Sequence, residues 1–146
     1  MSNLNLWSPR VLSVLRIMTA LLFIAHGTMK FFAFPAAMPG PDGPLPGILV
    51  AAGLIELIGG ALIALGLFTR PTAFIASGMT AAAYFMAHAP QSFWPIVNQG
   101  EAAILFCFVF LYLVFAGPGA WSLDALFRSH RNDGAADPAN AARALN

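Results

Sequence analysis

The sequence predicts an all-α, polytopic membrane protein folded as an antiparallel bundle of four transmembrane helices. Of its 146 residues, 59% are hydrophobic and only 9% are charged, whereas soluble domains carry about 25% charged residues. A soluble chain this apolar has too little polar surface to cover itself. The apolar residues also gather into four runs, each near the ~20 residues that a helix needs to cross a bilayer. The breaks between the runs are rich in proline and glycine, which stop helices.

The first span covers about residues 11–32. Arg10 followed by residues 11–25 resembles the basic and apolar regions of a signal peptide. The apolar run continues past His26, however, and no A-x-A cleavage site follows. The segment therefore reads as a retained span. The second span covers about residues 46–68, the third 71–88 and the fourth 101–116. Pro39-Gly40-Pro41-Asp42-Gly43-Pro44 breaks the first connection, and Thr69-Arg70-Pro71 reads as a tight turn. Residues 89–99 contain Pro90 and Pro95, and Gly117-Pro118-Gly119 closes the last span. Residues 121–127 then read as a short interfacial helix, capped by Ser122 with Asp124 in its first turn. The membrane domain is thus 1–127. The tail, 128–146, is rich in Ala, Asn, Asp and Arg and is expected to be disordered and cytoplasmic.

A net charge of +1 gives no broad field for nucleic acid. The single cysteine, Cys107, excludes an internal disulfide or a CxxC pair and reads as a small packing residue. With four spans, Arg10, Arg70, Arg128, Arg131 and Arg143 fall on one side, so both termini are expected in the cytoplasm. Trp7 and Trp121 then belong to the inner aromatic belt, and Phe93 and Trp94 to the outer one.

Every span carries an ionisable residue, and each such group costs about 3 kcal/mol or more at the bilayer centre. With Arg16 as zero on a helical wheel, His26 falls at about −80° and Lys30 at about −40°, so all three face inward. Gly53, Glu56 and Gly60 share one face of the second span, where small residues let a neighbouring helix approach. Ser77, Tyr84 and His88 form a stripe on the third span, and Glu101, Phe108 and Tyr112 form one on the fourth. His26, Lys30, Glu56, His88 and Glu101 therefore converge in the outer half of the bundle, with Glu56 about 13–15 Å below the surface. Arg16 stands apart at the inner end.

Ordinary structural roles compete with function at each position. Lys30, Glu101 and Arg70 can cap or snorkel, His88 can simply end a helix, and Arg16 can reach the cytoplasmic headgroups. A buried carboxylate such as Glu56 needs a cation or a proton. It is either a structural ion pair with Lys30 or His26, or a group that handles protons or ligand. Two His and two Glu are also a donor set for a metal, but no H-x-x-x-H or E-x-x-H spacing supports one, and no metal is expected. Phe23, Tyr84, Phe108 and Tyr112 either pack or line a cleft for an apolar ring.

The order of these phrases resembles the DoxX family of small bacterial membrane proteins. The matching pieces are His26-Gly27-x-x-Lys30-Phe31-Phe32, Glu56-x-x-Gly59-Gly60 and Gly66-Leu67-Phe68-Thr69-Arg70-Pro71. They continue with His88, Gly100-Glu101 and Gly117-Pro118-Gly119-Ala120-Trp121-Ser122-Leu123-Asp124. Together they span about residues 11–127. The resemblance implies a four-span protein of the bacterial cytoplasmic membrane. It also implies links to quinone-dependent oxidoreduction, to a subunit of thiosulfate:quinone oxidoreductase in one branch, and to redox-stress complexes in others. It supplies no catalytic residues.

The leading expectation is therefore a redox-linked membrane subunit with a quinone as cofactor and no covalent cofactor. His26 or His88 would hydrogen-bond a ring oxygen, Glu56 or Glu101 would relay a proton, and Lys30 would stabilise anionic charge. The cleft would be Phe23, Tyr84, Phe108 and Tyr112. The electrons must come from a soluble or membrane redox partner, because the chain carries no redox centre of its own. On this reading Glu56→Gln abolishes turnover and leaves the bundle assembled. One alternative is a non-catalytic anchor or assembly subunit whose buried charges fix helix register. Another is a small proton-coupled transporter, for which a homodimer would supply the pathway that four spans lack.

Overall fold

The apolar stretches become helical rods, two of them interrupted by a π-helical turn. This is seen in a computed structural model that describes residues 2–38 and 43–135. Helix α1 covers Ser2–Phe32, and α2 covers Gly47–Leu54. A π-turn over Ile55–Gly59 leads without a break into α3, Gly60–Leu65. Helix α4, Thr69–Ala83, continues into a second π-turn over Tyr84–His88. The short α5 (Pro95–Asn98) precedes α6 (Glu101–Ala116), and α7 covers Leu123–Ala135. No strand occurs among the described residues. Leu4–Phe32 and Gly47–Leu65 are long and apolar enough to cross a bilayer, and Glu101–Ala116 is apolar but shorter.

Helix α1 packs along α2, the first π-turn and α3, while α4 packs along α6. The two halves join through Ala20 and Phe23 of α1, Ile63 of α3, Ala73 and Ala76 of α4, and Phe110 and Leu113 of α6, all buried. The opposite faces are apolar and open. Val11, Met18 and Leu22 on α1, Phe74 on α4, and Leu105 and Phe115 on α6 are all exposed. Water does not tolerate an apolar surface of this extent, whereas lipid tails do.

Small residues set the approach of α1 to the second rod, as their spacing predicts. A Cβ on Gly53 would lie 2.6 Å from the Phe31 ring, and one on Gly60 would lie 2.5 Å from Ile24. Gly66 ends α3 in the left-handed region at φ 68°, where a side chain is strained. The Gly66 N–H donates to the Ile63 carbonyl (3.0 Å) and the Leu67 N–H to the Leu62 carbonyl (2.9 Å). This pair of bonds is a Schellman stop.

Several boundaries depart from the expected ones. Helix α1 begins at Ser2 and carries Pro9 inside it, where the proline removes one backbone donor and crowds the carbonyl one turn earlier. The turn between the second and third rods is Gly66–Leu67–Phe68. Thr69-Arg70-Pro71 instead forms the first turn of α4, where Pro71 lacks an N–H that has no intrahelical partner to find. Ser122 caps α7 as expected, with its Oγ accepting from the Ala125 N–H at 3.2 Å. That helix runs to Ala135 rather than ending at 127, so residues 128–135, expected to be disordered, are helical. The remainder of the expected tail, 136–146, and residues 39–42 of the first connection lie outside the described residues.

Asp124 does more than start α7. Its two carboxylate oxygens accept from the Phe68 and Thr69 N–H groups, both at 2.9 Å, and so cap α4 from a distance in sequence. Burial pushes this carboxyl up. The donors at Thr69 and Phe68 and the nearby Arg128 charge outweigh it, and the net position is below the ordinary value. A carboxyl held low when folded adds stability above its unfolded value of about 3.9, and loses it as pH falls through the folded value. Asp124→Asn should therefore cost about 1 kcal/mol at neutral pH and shrink the acid limb of a melting-temperature profile. An unchanged acid limb would mean that the cap carries no charge-dependent stability.

Candidate functional site

Two polar centres occupy opposite ends of the molecule. At the first, Lys30 near the end of α1 meets Glu56 on the first π-turn. Lys30 Nζ lies 2.7 Å from each Glu56 carboxylate oxygen. Both side chains are largely buried, at 10% and 8% exposure. The pair borders a cavity of about 480 Å³. Phe23 and His26 line it from α1, Glu56 from the first π-turn, Thr80 from α4, His88 from the second π-turn and Phe106 from α6. Glu56 and His88 thus both sit on π-turns, which widen a helix locally and recur at functional sites.

The base of the cavity is aromatic. Phe23 packs edge-on to Phe110 with centroids 4.8 Å apart, and Phe106 lies 5.7 Å from Phe23. His26 sits edge-on to Phe106 at 5.7 Å, and neither of its ring nitrogens makes a hydrogen bond among the described residues. His88 Nδ1 donates to the Asn98 carbonyl at 2.9 Å. The site can therefore hold a flat apolar ring against Phe23 and Phe106 and offer polar contacts at its rim.

Five of the residues expected at the site come together here: Phe23, His26, Lys30, Glu56 and His88. Tyr84 lies beside the cavity rather than in its lining, stacked on His88 with centroids 6.4 Å apart. Glu101, Phe108 and Tyr112 do not join. Glu101 is exposed in the first turn of α6, and Phe108 (64% exposed) and Tyr112 (56%) face outward. They do share a stripe, but the inward stripe of α6 is Phe106, Phe110 and Leu113. Because α6 is apolar all round, spacing alone cannot say which stripe faces in. Glu101's position also takes it out of the two-His, two-Glu donor set. No three metal-ligating side chains gather among the described residues.

Asn98, Thr80, Gln91 and Gln99 went unnoticed in the sequence. Thr80, Gln91 and Gln99 line the cavity, and Asn98 is buried behind His88. For Gln91, Asn98 and Gln99 the nearest signal is the proline-containing loop 89–99, whose side chains have no period to read, and Thr80 is a lone hydroxyl on α4.

The second centre is Arg16, 0% exposed. It faces inward, as its place on the helical wheel predicts, and the alternative in which it reaches the headgroups does not hold. Its Nε donates to the Pro118 carbonyl at 2.7 Å, Nη1 to the Ile63 and Ala64 carbonyls, and Nη2 to the Trp121 carbonyl. Ile63 and Ala64 belong to the last turn of α3, where carbonyls run short of intrahelical donors and attract cations; Ile63 also accepts from the Gly66 N–H. The Ala120 N–H donates to the Pro9 carbonyl and the Asp124 N–H to the Gly66 carbonyl. The early part of α1, the end of α3, the start of α4 and the end of α6 are thereby tied together at one pole.

An all-helical chain with a lipid-like apolar exterior and charge kept inside is a membrane protein. The DoxX family profile matches residues 11–89, and the chain belongs to the DoxX family. A protein of Haemophilus influenzae named only as uncharacterised is 47% identical over 131 residues, covering 87% of this chain and 98% of the relative. The Escherichia coli inner membrane protein YqjF is 32% identical, covering 77% of this chain and 88% of its own length. The Escherichia coli inner membrane protein YphA is 30% identical, covering 80% and 89%. No solved structure matches the chain significantly.

Proposed function

We propose that the protein spans the bacterial cytoplasmic membrane four times, as an antiparallel bundle with both termini inside, and binds a quinone in the cavity on behalf of a redox partner. The topology is supported by Arg70 and Arg128 lining one hollow beside Asp124, by Arg10 following Pro9, whose carbonyl is bonded at the same pole, and by the inner-membrane relatives. The observation that carries the binding reading is the make-up of one cavity. A closed Lys30–Glu56 pair, two imidazoles and an aromatic base meet there within about 480 Å³. The residues fit a quinone: Phe23 and Phe106 match a flat ring, and His26 has a nitrogen free to donate to a ring oxygen.

A quinone, when bound, supplies two-electron chemistry coupled to protons at its ring oxygens. The chain's residues orient the ring and place donors and acceptors around it. Lys30 keeps the Glu56 carboxylate in place at the rim, and the carboxylate is a proton acceptor within the same cavity. The electrons pass to or from a soluble or membrane redox protein.

His26→Phe tests the reading cleanly, because the His26 side chain makes no hydrogen bond that the fold needs. The melting temperature should stay within a few degrees of wild type. Labelling by a photoreactive quinone analogue should fall about tenfold or more, the loss of one good hydrogen bond in a dry site. Wild-type labelling of this variant would remove His26 from the site.

A second reading is favoured by the pair itself. Lys30 engages both oxygens of Glu56, as a purely structural clamp between α1 and the second rod would. On that reading the protein is an anchor or assembly subunit, and no variant at the cavity changes quinone labelling without also changing folded yield.

A further inference from the structure

His88 ends the second π-turn and lines the cavity. Its Nδ1 lies 2.9 Å from the Asn98 carbonyl oxygen. A carbonyl oxygen only accepts, so Nδ1 carries the hydrogen. In the neutral ring, Nε2 is then a bare acceptor, and no side chain or backbone group among the described residues donates to it. The carbonyl that fixes this tautomer is itself held. Asn98 is 2% exposed. Its Nδ2 donates to the Ser92 carbonyl, and its Oδ1 accepts from the Gly100 N–H, both at 2.8 Å. A left-handed Gln99 and the close packing of Tyr84 on Gly100 complete the loop.

The ring-binding reading above then gains a preference. A quinone oxygen placed at His88 sets lone pair against lone pair, whereas a phenolic hydroxyl there donates to Nε2. His26, with neither nitrogen engaged, adapts to either form. We infer that the cavity selects the reduced, phenolic form of its ring ligand, with His88 Nε2 as the acceptor and Asn98 as the residue that positions it. The preference rests on the cavity being the ring site.

The test uses the full-length chain in nanodiscs with isotope-labelled histidine, a short-chain ubiquinone and its quinol. Nitrogen NMR should show His88 as the Nδ1–H tautomer, and the quinol should bind about tenfold tighter than the quinone or better. Asn98→Ala should mix the two tautomers, and His88→Phe should abolish the preference. An Nε2–H tautomer in wild type, or equal or reversed affinities, overturns the inference and leaves the ring-binding reading standing. Failure of both forms to bind overturns that reading and the inference with it.

Discussion

Arg16→Met should be the most damaging single change in the protein. It takes the guanidinium from four carbonyl oxygens and strands three of them, those of Ala64, Pro118 and Trp121, while Ile63 keeps the Gly66 N–H, in a region where the side chain itself is fully buried. An unsatisfied buried polar group costs about 1–3 kcal/mol, so a total loss of 3 kcal/mol or more is expected. Folded yield in mild detergent should fall several-fold, and proteolysis should open first at residues 117–121, which lose the guanidinium and keep, to α1, only the bonds at Pro9 and Ser13. Arg16→Lys should recover only part of the loss, because one ammonium cannot match a planar fork with five donors. If Arg16→Met melts like wild type, the guanidinium is not what ties α1, α3 and the Gly117–Trp121 segment together.

Lys30→Met should come next. Removing one member of a buried ion pair leaves an uncompensated charge and costs about 3–5 kcal/mol. Glu56→Gln should be destabilising for the same reason, so the bundle it leaves assembled should melt lower than wild type. The double variant Lys30→Met with Glu56→Gln leaves no lone charge, and its melting temperature should recover most of the loss. Additive losses in the double variant would mean that the two side chains do not act as a pair. Recovery of stability without recovery of quinone labelling would mean that the pair also serves the ligand.

Much of this was legible in the sequence because membranes simplify the code. A run of apolar residues broken by Pro and Gly has few outcomes, and a helical rod covers each run, with ends shifted by up to nine residues. Charge inside a span must turn inward, so helical period together with depth along the spans brings His26, Lys30, Glu56 and His88 to one cavity. The same reasoning failed for Glu101, Phe108 and Tyr112. On α6 every face is apolar, and the choice of inward stripe is made by packing against Phe23 and Ala73–Ala76, not by pattern. The two π-turns were also invisible, since no local residue type demands them, although they carry Glu56 and His88 to the cavity. The inward face of Arg16 is legible, but its partners are not, because they are backbone carbonyls on segments about 50 and 100 residues away, and a sequence does not mark carbonyls as partners. Asp124 was read as a helix-start residue of α7, but its carboxylate reaches across to Phe68 and Thr69.

The measurement that tests the cavity most directly is the quinone content of the purified protein. Wild type and Ala103→Phe would be extracted from native membranes in mild detergent, and bound quinone and quinol counted together by mass spectrometry. Ala103 lines the cavity, so a phenyl ring there takes up ligand volume while both members of the Lys30–Glu56 pair stay in the sequence. Near-stoichiometric quinone in wild type and its loss in a folded Ala103→Phe is the predicted result. Wild type free of quinone, or equal quinone in both proteins, would contradict a ring ligand in this cavity.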